Sequence, residues 1–239
     1  MPSALAQLLL PAECLLCDAL LPSARSEDVV CAVCRHRWRL LAPPWCERCG
    51  QPEPLSGPCA ICRDWPAALC RARSAVWLDP PARRAAHALK YGGLPRIALD
   101  MADALARVPL EIPEGTATLI PVPLARRRLR ARGYNQGERL ARALGTRRGL
   151  PVVELLVRTR ETATQTALTP AARLANVAGA FEVPAVCSAV GIPKSTLILV
   201  DDVFTTGATI AAAARALEAA GARCIMAVTF GRAVIPDFA

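Results

Sequence analysis

Leu197–Ile210 reads LILVDDVFTTGATI, and the order of residue types within it sets the fold class. Leu197, Ile198, Leu199 and Val200 form a short continuous apolar run, the pattern of a parallel strand covered on both faces. Asp201 and Asp202 follow at the carboxyl end of that strand, and Thr205, Thr206, Gly207, Ala208 and Thr209 make a hydroxyl-rich turn. Ile210–Ala220 then has the Ala, Leu, Glu and Arg content of a helix, with Gly221 as its stop. Strand, turn and helix in this order predict an α/β protein with a parallel sheet. Free backbone N–H groups and partial positive charge at the helix N-terminus suit an anion, and ligands of open α/β sheets gather at the carboxyl ends of strands. Two carboxylates beside a phosphate repel it unless they face vicinal sugar hydroxyls or a Mg²⁺ ion. The stretch therefore predicts a sugar-phosphate site, against the plainer reading of an ordinary βα turn with an Asp/Thr cap. It is neither a G-x-x-x-x-G-K-[ST] loop nor a G-x-G-x-x-G turn.

Working outward, 239 residues accommodate one full α/β domain and a smaller module. Aromatic residues are only 4% of the chain, so the core is expected to be built from Ala, Val, Leu and Ile. The net charge is +9, and 27 of the 29 basic residues are arginine, whose planar fork grips oxyanions and favours phosphate-rich partners. A GC-rich genome also raises Arg and Ala, so this charge is supporting information only. There is no 18-residue apolar run, and Leu8–Leu10 is too short and lacks a basic flank. Glu13, beside Cys14, argues against a lipoprotein cleavage site. The expectation is a cytoplasmic protein without a membrane span or secretion signal.

Eight of the eleven cysteines form four C-x₂-C pairs, Cys14/Cys17, Cys31/Cys34, Cys46/Cys49 and Cys59/Cys62, separated by loops of 13, 11 and 9 residues. A two-residue spacer lets one knuckle bring both thiolates to a tetrahedral ion, so the pairs predict structural Zn²⁺ rather than disulfides. The spacing allows sequential sites, Cys14/Cys17/Cys31/Cys34 and Cys46/Cys49/Cys59/Cys62, or an interleaved cross-brace. Sequential sites close locally and are favoured. His36 is an alternative ligand, whereas His87 reads as a helix-face residue. Cys70, Cys187 and Cys224 stand alone and read as buried free thiols. Cysteine density collapses beyond Cys70, predicting a double zinc-knuckle module over residues 1–70 and an α/β domain over 71–239. A module of that size depends on its metal for stability.

The α/β pattern starts with a strand at Ser74–Leu78, helices at Pro81–Tyr91 and Ile97–Arg107, and a buried strand at Thr116–Val122 that leads into Pro123 and Leu124. Nine arginines then fall between Arg126 and Arg148 against one acid, Glu138. Charge runs are commonly solvated helix faces, but this one follows a strand's carboxyl end and reads as a polyanion surface. Arg126, Arg127, Arg128, Arg130 and Arg132 are its candidate nucleic-acid contacts, with Tyr134 as a stacking platform. Arg35, Arg37, Arg39 and Trp38 in the cysteine module are an alternative surface. The polar stretch from Arg158 to Phe181 reads first as a mobile cover, then as a helix after Pro170.

The Val200–Thr209 stretch, VDDVFTTGAT, resembles the PRPP-binding motif of type I phosphoribosyltransferases. With LKYGG at Leu89–Gly93, PVPL at Pro121–Leu124, RRRLRARGYNQ at Arg126–Gln136, and Arg158, Arg160, Thr162, Gln165, Arg173, Asn176 and Phe181 in order, the chain resembles the competence protein F (ComF) family, including its GntX-like DNA-utilisation proteins. Tyr134 stands where Phe is common in that family. The resemblance implies a type I phosphoribosyltransferase-like fold that binds PRPP with Mg²⁺ and also binds single-stranded DNA. Asp201 and Asp202 are then the catalytic candidates and hold the ribose hydroxyls, while Thr205–Thr209 takes the 5′-phosphate. The backbone at Val122 and Pro123, with arginines such as Arg126 or Arg132, faces pyrophosphate. DNA-uptake helicase or channel proteins are implied partners. Two other readings are an enzyme of nucleotide metabolism and a PRPP-sensing regulator. An amidotransferase is disfavoured because such enzymes carry an N-terminal nucleophilic cysteine and this chain begins Met1-Pro2-Ser3. No residue stands out as a general base.

Overall fold

The computed structural model describes residues 12–22, 28–52, 59–112, 117–161, 177–193 and 195–233. Its central sheet contains β1 (Leu69–Trp77), β2 (Ala117–Pro121), β5 (Thr196–Phe204) and β6 (Ile225–Arg232), all parallel, in the order β1-β6-β5-β2. A separate antiparallel ribbon pairs β3 (Val157–Arg158) with β4 (Phe181–Glu182). The helices are α1 (Ala32–His36), α2 (Pro80–Tyr91), α3 (Ile97–Leu105), α4 (Arg126–Arg132), α5 (Gln136–Arg148), α6 (Ala185–Val190) and α7 (Ala208–Ala219). None of the described helices is long and apolar enough to cross a membrane.

The alternation of β5 divides the core. Ile198 and Val200 face a layer containing Leu89 of α2, Ile97 and Met101 of α3, and Leu140 and Leu144 of α5. Leu197 and Leu199 face Ile210, Ala213, Ala214 and Leu217 of α7 on the other side. Both faces are covered, which is why the strand is apolar at successive positions rather than at every second one. The small side chains let helices come close. At Gly137 of α5 a Cβ would stand 2.9 Å from the Val122 carbonyl oxygen and 3.1 Å from that of Val200, so α5 lies almost on the ends of β2 and β5.

The cysteine segments wrap the outer edge of β1. Leu40 bridges Val76, the Leu41 and Trp77 N–H groups bond to Ala75 and Arg39, and the Ala72 N–H bonds to the Arg48 carbonyl. An otherwise open strand edge is thereby closed. The first tetrad's segment lies on the α2/α3/α5 face, where Trp38 meets Phe230 edge-on at 5.0 Å. Cys49 and Cys62 lie instead with the α7 face.

The strand expected at Ser74–Leu78 begins earlier, at Leu69. Arg71, Arg73 and Ser74 obscure its apolar signal. Arg73 is buried because its guanidinium donates to the Glu47 carbonyl and lies 5.2 Å from the Trp45 ring, and Ser74 shares a 2.7 Å hydrogen bond with Thr229. The helix expected from Ile210 starts at Ala208, and the one expected to reach Arg107 ends at Leu105. The ends of the expected cover form the β3–β4 ribbon. Thr162, Gln165, Arg173 and Asn176 lie outside the described residues, as does Thr116.

Candidate metal centres and candidate ligand cleft

The two sets of four cysteines close sequentially. Sγ atoms of Cys14, Cys17, Cys31 and Cys34 all lie within 4.8 Å of one another, and so do those of Cys46, Cys49, Cys59 and Cys62. A tetrahedral ion with Zn–S bonds of about 2.3 Å needs sulfur atoms about 3.8 Å apart. Cys17–Cys31 and Cys46–Cys62 are separated by 3.7 Å, and Cys49–Cys59 by 3.4 Å. Backbone N–H groups of Leu16 and Cys31 point at Cys14 Sγ, and that of Cys34 at Cys31 Sγ, the donors that a knuckle offers to thiolates. Burial first, then neighbouring thiols, pushes Cys34 and Cys49 far up and Cys62 up to about 12. Such crowded thiols ionise together only around a cation, and an all-sulfur tetrahedral donor set fits Zn²⁺. His36 belongs to neither cluster.

The second tetrad is tied to the sheet by Arg232, which is 1% exposed. Its guanidinium donates to the Cys49 carbonyl at 2.8 Å and to Gln51 Oε1 at 3.0 Å, and lies 4.3 Å from the Phe204 ring. Phe204 in turn lines a cleft of about 610 Å³ at the carboxyl ends of β2 and β5.

In that cleft the structure gathers most of the predicted sugar-phosphate residues. Asp201, Asp202, Thr205, Gly207, Ala208, Thr209, Val122 and Pro123 all line it. Thr206 is buried instead, where its hydroxyl accepts the Ala208 N–H at 3.4 Å. Gly207 has φ +74°, and a Cβ there would stand 2.7 Å from the Phe204 ring, so the turn into α7 requires glycine for both conformation and space. Adjacent strand residues point to opposite faces, and the two acids accordingly have different neighbours. Asp202 is 2.6 Å from Lys90 Nζ and accepts from Gln136 Nε2 at 3.4 Å. Asp201 accepts the Asp202 N–H at 2.8 Å. Burial, and then the charge of Asp202, lifts Asp201 to about 8, with Lys90 opposing. Burial works against the Lys90 ammonium, but Asp202 and Asp201 outweigh it and raise its pKa. The two acids are thus not equivalent: Asp202 lies directly against the Lys90 ammonium, whereas the surroundings of Asp201 favour its protonated form.

Arg158 of β3 also lines the cleft, with burial and then the charge of Arg128 lowering its pKa. Lys90, Tyr91, Gln136 and Arg158 were not assigned roles by sequence reasoning. All four sit inside quoted motifs, LKYGG, RRRLRARGYNQ and the arginine series, but motif membership alone does not say which side chain turns inward.

Of the candidate nucleic-acid residues, Arg128 and Arg132 line the cleft, whereas Arg126, Arg127 and Arg130 are exposed outside it on α4, which buries no residue. The arginines of α5 are engaged differently. Arg142 pairs with Glu138 at 2.8 Å and Glu154 at 3.3 Å, Arg147 with Asp103 at 2.7 Å, and Arg148 donates to the Ala106 and Val108 carbonyls. The stacking role expected of Tyr134 is corrected. Its ring is 8% exposed and its hydroxyl donates to the Leu89 carbonyl, so it offers no face to a base. The exposed ring at the cleft mouth is Tyr91, 66% exposed, with the Arg132 guanidinium 5.4 Å and the His87 ring 4.9 Å away.

Comparison with known proteins matches these parts separately and together. The profile of the double zinc ribbon domain matches residues 5–72, and that of the phosphoribosyl transferase domain matches 129–233. The DNA utilization protein YhgH of Escherichia coli K12 is 32% identical over 232 residues, covering 91% of this chain and 96% of that protein. The competence protein ComFC of Bacillus subtilis is 25% identical, covering 85% and 88%. Competence protein F of Haemophilus influenzae is 34% identical over 136 residues, covering 56% and 57%. A zinc-ribbon segment closing the edge of a phosphoribosyltransferase sheet, and likeness to these proteins along almost the whole length, lead to one conclusion: the chain belongs to the ComF family of phosphoribosyltransferase-like proteins.

Proposed function

We propose that the chain is a ComF-type protein of DNA uptake or utilisation that binds PRPP with Mg²⁺ in its cleft and single-stranded DNA along the cleft's arginine rim. The observation that carries this reading is the meeting of the Asp201–Asp202 pair with the Gly207 turn and three cleft-lining arginines, Arg128, Arg132 and Arg158. Thr205–Thr209 would receive the 5′-phosphate at the start of α7. Asp201 and Asp202 would take the ribose hydroxyls and contribute to the metal's oxygen shell, a donor set that suits Mg²⁺ bound by one or two carboxylates and substrate phosphates. The ion would neutralise diphosphate charge. The backbone at Val122 and Pro123, with Arg132, Arg128 and Arg158, would hold the diphosphate by charge and position. The DNA side of the proposal is supported by the exposed arginines of α4, by the ring of Tyr91, and by relatives named for DNA utilisation and competence.

The intact acid pair also supports a second reading, phosphoribosyl transfer in nucleotide metabolism. Among the described residues lining the cleft there is neither His nor Glu to act as a general base, which weighs toward binding.

Calorimetry tests the cleft. Replacing Asp201 and Asp202 together by Ala should weaken PRPP by at least about 100-fold in the presence of Mg²⁺, since each hydrogen bond to a charged group contributes about 1.5–3 kcal/mol. Inorganic phosphate, which lacks the ribose hydroxyls, should be weakened far less or not at all. Equal PRPP affinity in both proteins would remove the assignment.

A further inference from the structure

At the end of the sheet opposite the cleft, two cysteines outside the tetrads meet. Cys70 lies in β1 and Cys224 immediately precedes β6, and their Sγ atoms are 4.0 Å apart. Both residues are exposed, contrary to the burial expected of them from sequence. The pairing of β1 with β6 explains the encounter. Leu69 is in register with Ile225 and Arg71 with Met226, so Cys70 is an extra residue between consecutive partners. A bulge re-aims the side chain that it carries. Here the thiol lies against the start of β6, where Cys70 Sγ also donates to the Ile225 carbonyl at 3.2 Å.

We propose that Cys70 and Cys224 form a reversible dithiol centre, a modification site at which a hydroperoxide converts the two thiols into an intramolecular disulfide. The present separation is about 2 Å longer than a disulfide of ~2.05 Å, a gap on the scale of a side-chain rotation. The thiols are not equivalent. Cys224 Sγ accepts a hydrogen bond from Thr196 Oγ1 at 3.6 Å, whereas the Cys70 thiol is itself the donor to the Ile225 carbonyl. The Cys70 thiol is held above its ordinary range, by burial first and by Cys224 second. Cys224 is accordingly the attacking sulfur and Cys70 the resolving one. In the first step the Cys224 thiolate attacks the distal peroxide oxygen, the O–O bond breaks, and an alcohol or water leaves with the thiol's proton, giving Cys224 sulfenic acid. In the second, Cys70 sulfur attacks the sulfenic sulfur, the S–O bond breaks, and the hydroxide leaves as water with the Cys70 proton. Two electrons pass from the thiols to the peroxide overall. The site is separate from the tetrads and from the cleft, so it does not depend on the PRPP reading.

The test uses the full-length, zinc-loaded protein with limiting hydrogen peroxide, followed by alkylation and peptide mass mapping. Three cysteines lie outside the tetrads, so alkylatable thiols should fall from three to one, with Cys70 and Cys224 peptides cross-linked and zinc retained. The bond closes a long loop in the unfolded chain, so the melting temperature should rise by several degrees and return on reduction. Cys224→Ser should give no cross-link, and Cys70→Ser should stop at a Cys224 sulfenic acid that dimedone traps. Both variants change exposed side chains and leave the core intact. Zinc release preceding any change at Cys70, oxidation of Cys224 to sulfinic acid without a cross-link, or a disulfide between two molecules would overturn the proposal.

Discussion

The tetrads and the cleft are both polar clusters set into an apolar protein, yet they are assembled in opposite ways. Each tetrad draws its ligands from one short stretch, residues 14–34 or 46–62, and closes on itself. The cleft gathers residues from Lys90 to Ile210 across α2, α4, α5, β3, β5 and α7, and stays open. A locally closed site can be written in spacing. A site gathered from afar is written in the packing that brings its parts together, and its charges have to be read in place.

The largest effect that would sharpen this contrast is loss of metal. Cys14, Cys34 and Trp38 belong to one core and Cys49 and Cys62 to the other, so the tetrads are continuous with the sheet despite their local closure. Chelation under reducing conditions should therefore unfold the α/β domain along with the ribbon, since structural zinc contributes on the order of 10 kcal/mol in finger-sized peptides. Circular dichroism that shows the domain melting unchanged after zinc removal would break the comparison by making the ribbon an independent appendage.

A second, smaller effect concerns the cleft's rim. Single-stranded DNA affinity should fall with salt at a log–log slope of about −0.7 per neutralised phosphate. Replacing the exposed Arg126, Arg127 and Arg130 by Gln should flatten that slope by about two, if each meets a phosphate. Replacing Arg142 and Arg147, which already face carboxylates, should leave it unchanged. A salt titration in which the α5 changes matter more than the α4 changes would show that charge count, not placement, decides binding.

A third effect belongs to Asp201. Its folded pKa, about 8, is above the ordinary carboxylate value, so the folded state favours the protonated form. The stability this contributes is complete below about pH 4 and is lost as pH rises through about 8. Asp201→Asn should flatten the ligand-free protein's thermal stability profile across that window. An unchanged profile would show that the acid's surroundings do not hold its proton.

These contrasts also explain what was legible in advance. The C-x₂-C spacing announced two metal sites, but the choice between sequential and interleaved closure became clear only from the sulfur positions. The β5–α7 unit was readable because strand, turn and helix are contiguous. Lys90 was not, for its importance comes from the end of α2 reaching Asp202, far along the chain. Tyr134 misled because composition made it a rare aromatic among arginines. Its position immediately before the Asn135 N-cap of α5, where an apolar side chain commonly packs inward, was the signal for burial.

Strand order has a consequence for how the molecule comes into being. β1 leaves the ribosome first among the sheet strands, but its sheet neighbour β6 is synthesised last, so the Leu69–Ile225 pairing must wait for nearly the whole chain. At roughly 5–20 residues per second, that delay is on the order of ten seconds, and contacts so distant in sequence form slowly even afterwards. The residues covering the other edge of β1, around Arg39–Leu41 and Arg48, have already emerged by then. The segments that cover one edge of β1 are thus complete in the chain long before the strand that pairs with its other edge.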